Sequence, residues 1–153
     1  EIQSHPWDFC ELSNETADLV KSLRSDHVKY LYSVPHTFFY DKGVGDVASM
    51  LRYAGSDLSH VLIADTRNHT KHCRYIVNPP GVDAVVHQHV GVGEGDVDFD
   101  ALFRTLREMK FAEQTFKVGG EPIVATSLFG YPEKMKYQAV ETRELIEREL
   151  LRR

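Results

Sequence analysis

Apolar residues recur along this chain at two spacings, and the spacings alternate. Ala17, Val20 and Leu23 stand at helical intervals behind Asn14, a residue type that caps helices. Residues 28–34 are dense in β-branched and aromatic side chains, as strands are. Val47, Met50, Leu51 and Ala54 return to the helical interval, between Asp46 as a cap and Gly55 as a stop. Residues 60–64 form a short continuous apolar run, which predicts a strand buried on both faces. Phe99, Leu102, Phe103, Leu106 and Met109 make one helical stripe behind Asp98. Residues 123–129 predict the last strand. Pro132 suits a first helical position, and Met135, Ala139, Ile146 and Leu150 predict the inward side of a closing helix. Residues 1–4 read as the end of an earlier strand.

Strand then helix, four times over, predicts a parallel sheet with crossover helices. Four such units are half of a (β/α)8 TIM barrel, which takes ~250 residues. Four parallel strands alone would leave two open edges and an uncovered inner face. Either a first half is absent or two copies assemble as a homo-oligomer. The expectation is that residues 1–153 are the C-terminal half of one barrel domain, covering about the last four βα units. A small open α/β sheet of flavodoxin type shares the alternation and is the competing fold.

Composition narrows the function by exclusion. The chain carries a net charge of -5 with 42% hydrophobic residues, as one soluble globular domain does. The acidic balance speaks against a nucleic-acid partner, which needs clustered Lys and Arg. No stretch is long and apolar enough to span a membrane. The first residues lack the basic-then-apolar pattern of a secretion signal, and the missing initial Met points to truncation or processing. Two cysteines, Cys10 and Cys73, are too few for a disulfide framework, so a reducing cytoplasmic setting is the default.

In a barrel of this kind, chemistry gathers at the C-terminal ends of the strands. Gln3 and His5 follow the first strand, and His36 follows the second. Asp65 and Arg67 follow the third, with His87, His89 and Glu94 in its long loop, while Ser127 and Glu133 belong to the fourth. In an extended His87-Gln88-His89 segment both imidazoles point the same way. His36 from the neighbouring strand end would add a third nitrogen, an arrangement that suits a divalent metal ion such as Zn or Mn. The plain alternative for an H-x-H pair is two loop histidines bonded to backbone carbonyls. For His5, before Pro6 and Trp7, it is an imidazole packed on the indole. Gly91-Val92-Gly93-Glu94-Gly95 opens a helix and offers backbone N–H groups to a phosphate. It lacks the Gly-Lys-Ser/Thr of a P-loop, and a plain permissive turn is the simpler reading.

Several stretches carry a resemblance. Gly93-Glu94-Gly95-Asp96-Val97-Asp98-Phe99, after a strand ending in Asp65, resembles the matching segment of xylose-isomerase-like barrels. Pro6-Trp7-Asp8-Phe9, Tyr32-Ser33-Val34-Pro35-His36-Thr37-Phe38-Phe39-Tyr40-Asp41, Arg74-Tyr75-Ile76-Val77-Asn78-Pro79-Pro80-Gly81 and His87-Gln88-His89 are similar to IolH-type inositol-catabolism proteins. The resemblance implies a sugar-phosphate isomerase or epimerase barrel. That superfamily's usual ligands, Glu, Asp, His and Glu, fall near Gln3, Ser33, Leu62 and Ser127, none of them a good metal ligand. A second resemblance, to endonuclease IV, lies at His36, His87-x-His89 and Gly93-Glu94-Gly95, where that family binds an additional zinc.

Together these imply a metal-assisted isomerase or epimerase acting on a small sugar or polyol. His36, His87 and His89 are expected to hold the metal. Asp65 and Glu133 are the expected proton-transfer groups, and His5, Arg67 and Glu94 the expected substrate contacts. The alternatives are a non-catalytic sugar-binding or regulatory barrel and, third, an endonuclease IV-like phosphodiesterase.

Overall fold

The computed structural model describes residues 1–5, 9–40, 46–67 and 88–151, with the backbone alone at 38–40. Its strands are β1 (Ile2–Gln3), β2 (Tyr30–Ser33), β3 (Leu58–Ile63) and β4 (Ile123–Thr126). Its helices are α1 (Ser13–Leu23), α2 (Val34–Tyr40), α3 (Val47–Ala54), α4 (Phe99–Glu108) and α5 (Pro132–Ile146). The strands form one parallel sheet in the order β1-β2-β3-β4. The predicted alternation is therefore present, as an open sheet rather than a closed barrel.

Alternation along each strand divides the sheet into two faces. Tyr30, Tyr32, Val61 and Ile63 pack into the core with Ala17 and Val20 of α1, Leu51 and Ala54 of α3, and Leu102, Phe103 and Leu106 of α4. On the other face Gln3, Leu31, His60 and Ile123 stand in register, as do Ser33, Leu62 and Ala125. Here Ser33 Oγ and His60 Nε2 are buried and find no hydrogen-bond partner among the described residues. An orphaned polar atom of this kind costs about 1–3 kcal/mol.

Several local expectations shift. Asn14 does not cap α1; the helix begins at Ser13 with Leu12 at the cap position. The Ser13 hydroxyl is drawn to Tyr30 Oη at 2.9 Å, which pulls the first turn inward. Asp46 and Asp98 cap their helices as expected, accepting from Ser49 and Ala101 N–H. Pro35 sits in the first turn of α2, so His36 lies on a helix rather than on a strand end. Strand β4 stops at Thr126 because the chain leaves the sheet there. Ser127 N–H still donates to the Ile63 carbonyl (3.1 Å), but Phe129 N–H turns to the carbonyl of His89 (2.9 Å). On α5 the buried positions are Gln138 and Thr142, while Met135, Ala139 and Ile146 are half-buried. The surface facing Gln138 is polar: its amide donates to Glu94 Oε1 at 2.8 Å. Among the described residues no helix is long and apolar enough to cross a membrane.

Candidate functional site

The C-terminal ends of β1–β4 bring His5, His36 and His89 together. His36 and His89 point their Nε2 atoms at each other across 3.2 Å. Both rings are anchored from behind. His36 Nδ1 meets the Ser4 carbonyl at 3.2 Å, and His89 Nδ1 meets the Ser127 carbonyl at 2.9 Å and its hydroxyl at 3.1 Å. A carbonyl oxygen only accepts, so each Nδ1 carries the proton. In the neutral tautomers so fixed, two Nε2 lone pairs face one another at hydrogen-bond distance. That contact is repulsive until a cation, a proton or a metal ion, lies between them.

The fit to a metal ion can be tested on the same distance. Zn–N bonds are about 2.0–2.1 Å, so two nitrogens 3.2 Å apart are close enough for one ion to be held by both. The carbonyl behind each ring, joined at His89 by the Ser127 hydroxyl, matches the outer partners that hold ligating imidazoles in one tautomer. Burial pushes the His89 imidazolium below its ordinary pKa of 6.5, the Ser127 bond opposes this, and the nearby His5 adds to it. The neutral form, which binds metals, is thus favoured. Two of the three expected nitrogens converge; His87 lies outside the described residues. Among the described residues no set of three or more His, Cys, Asp or Glu side chains is gathered to hold a metal ion.

His5, expected at the substrate, stacks edge-on against His36 with ring centroids 4.5 Å apart. Its backbone N–H is tied to the Cys10 carbonyl. Phe129 lies flat on His89, with centroids 4.3 Å apart and planes 25° apart, and is 68% exposed.

Asp65 departs from the role of base expected for it. It is 1% exposed, and its carboxylate accepts four backbone N–H bonds, from Thr66, Gly93, Gly95 and Val97. Burial raises its pKa, and the four donors pull the other way. With both oxygens engaged, it is badly placed to take a proton from a substrate. The same bonds occupy the N–H groups offered to a phosphate by the Gly-rich turn. Glu94 is likewise committed, to Lys134 at 2.9 Å and Gln138 at 2.8 Å on α5. Glu133 is exposed in the first turn of α5, and Arg67 is exposed after β3. Among the described residues neither side chain makes a hydrogen bond or ion pair.

Sequence reasoning passed over Ser4 and Phe129, and set Ser127 aside as a lost ligand. Its position directly after a strand was the available signal, but a backbone carbonyl acting behind an imidazole leaves no mark on residue type.

A parallel βα sheet carrying its polar cluster at the strand C-terminal ends agrees with one further finding: the model of the xylose isomerase-like TIM barrel family matches residues 1–122. The chain belongs to that family. It includes sugar isomerases and epimerases as well as endonuclease IV-like enzymes. No curated protein matches the chain.

Proposed function

We propose that the protein is a metal-assisted isomerase or epimerase acting on a small sugar or polyol, of the IolH type linked to inositol breakdown, and that this chain supplies the last four βα units of its barrel. The observation that carries the reading is the His36–His89 pair: two carbonyl-anchored imidazoles with their acceptor nitrogens 3.2 Å apart at the rim where this family does its chemistry. The orphaned Ser33 Oγ and His60 Nε2 on the other sheet face support the half-barrel reading, since further strands would bring partners to them.

In this reading His36 and His89, with His87, hold a divalent metal ion. Such an ion supplies Lewis-acid polarisation of a carbonyl or hydroxyl. Ser4 and Ser127 fix the two rings and keep each Nδ1 protonated. His5, beside His36, contacts the substrate. Arg67 takes an anionic group such as a phosphate. Glu133 keeps the proposed proton-transfer role, because its carboxylate is exposed and Asp65 is engaged elsewhere.

Metal analysis with a proton-exchange assay tests the proposal. The protein should bind one divalent ion, lose it in the His36→Ala and His89→Ala variants, and exchange deuterium from solvent into the carbon beside the carbonyl of a ketose. Metal-free protein that binds inositol derivatives without exchange would instead identify a sugar-binding barrel. Nicking of abasic DNA would identify a phosphodiesterase.

A further inference from the structure

We propose that Asp65 is a positioning residue for His89: an anion built into the chain that fills the Gly-rich turn and, through it, sets the imidazole against His36. The inference rests on the reading of His36 and His89 as metal ligands.

Asp65 Oδ1 accepts from Thr66 N–H at 2.8 Å and Val97 N–H at 3.2 Å; Oδ2 accepts from Gly93 at 2.9 Å and Gly95 at 2.8 Å. Backbone N–H groups converging on one anion make the kind of nest that binds phosphates elsewhere. Here the occupant is a side chain of the same polypeptide. Glycine is required at both inner positions. Gly93 has φ +90°, a conformation L side chains rarely adopt, and a Cβ on Gly95 would fall onto Asp65 Oδ1 and the Thr66 carbonyl.

The turn so closed carries His89 at its start, and both neighbours of His89 are clamped to residues 65–67. Val90 exchanges both backbone bonds with Asp65, at 2.8 and 3.0 Å. Gln88 accepts from Arg67 N–H through its side chain at 3.0 Å and donates its own N–H to Thr66 Oγ1 at 3.1 Å. His89 therefore has little freedom to shift along the rim. Without the carboxylate, four N–H donors would surround a small anion-shaped hole, and the turn between Gly91 and Val97 would lose the charge that gathers it.

The test compares the chain with its Asp65→Ala and Asp65→Asn variants. Each is titrated with Co(II) alone and read in its visible d–d spectrum. Imidazole ¹H–¹⁵N spectra of the metal-free proteins are recorded alongside. Asp65→Ala should weaken Co(II) binding about tenfold or more and move the His89 Nδ1–H resonance. Sodium formate, which matches the lost carboxylate, should restore both; phosphate, too large for the hole, should restore neither. Asp65→Asn keeps the shape and one acceptor oxygen, should fall between the two, and decides the matter should the Ala variant fail to fold. A folded variant with wild-type Co(II) affinity and an unmoved His89 resonance overturns the proposal, as does a loss of fold in both variants that formate cannot reverse. Should the wild-type chain take up no Co(II), the metal reading falls. The imidazole spectra then decide on their own: an unmoved His89 signal overturns the positioning role, and a moved, formate-restored signal supports it.

Discussion

Helices α4 and α5 each follow a strand of the same sheet, yet they are held by different forces. Helix α4 buries Leu102, Phe103, Thr105 and Leu106 in the common core. The longer α5 buries Gln138 and Thr142, and leaves Tyr137 and Val140 exposed. Only its C-terminal end, at Leu145 and Ile146, packs half-buried against that core; the rest is anchored by polar contacts, Lys134 and Gln138 on Glu94 and, just beyond its end, Glu149 on Arg107. Apolar burial contributes roughly 25 cal/mol per Å², whereas exposed ion pairs contribute about 0–1 kcal/mol. Stability is therefore concentrated in β2, β3 and the helices beneath them. The His36–His89 pair straddles the divide. His36 follows β2 in the well-packed part, while His89 leans on Ser127, just after β4, at the polar end. The same βα pattern thus yields one unit packed into the core and one that holds the His89 ring through Ser127.

The contrast breaks most readily in the core. Leu106→Ala should cost about 2–5 kcal/mol by urea unfolding, and Val140→Ala on α5 no more than about 0.5 kcal/mol. Equal losses would sink the division. Next comes Gly95→Ala, which drives a methyl into Asp65 and the Thr66 carbonyl and should cost about 1–3 kcal/mol. Its metal affinity should fall further than its stability alone would suggest, because the displaced turn carries His89. Titration calorimetry beside thermal melts separates the two effects.

A pH series sharpens the polar end. Burial holds the folded-state pKa of His89 below 6.5, so the unfolded chain takes up the proton first as pH falls. The neutral ring is fully tolerated above about pH 6.5. Stability should decline as pH falls from there towards the depressed folded-state value, then level off for this group. Urea midpoints of metal-free wild type and His89→Gln across that window should converge at low pH; parallel curves would contradict the assignment. Smallest of all, Ser127→Ala removes the hydroxyl but keeps the carbonyl that accepts from Nδ1. Stability should stay within about 0.5 kcal/mol and metal affinity should fall by less than about tenfold.

Much of the architecture was legible before any coordinates. The stripe Leu102, Phe103, Leu106 marked α4 and its buried face, and Asp46 and Asp98 marked two helix starts, because caps and apolar periods depend on neighbours in sequence. His36 and His89 could be named as candidates from residue type and from resemblance. Their meeting was expected from the order of the strands, but its geometry was not: a contact between positions 53 residues apart, with each ring held by a backbone carbonyl, leaves no local pattern in the sequence. The surroundings of Asp65 were hidden for a related reason: a carboxylate after a strand looks the same whether it faces solvent or the N–H groups of a turn about 30 residues on.

The sequence by itself determined the alternation of strands and helices, the apolar faces and the list of chemically capable residues, since these follow from local spacing and side-chain chemistry. Only the tertiary structure decided which of those residues share a site. A parallel sheet sets its strand C-terminal ends along one edge, where burial commits Asp65 to backbone donors, Lys134 and Gln138 hold Glu94, and two imidazole nitrogens turn towards a common point.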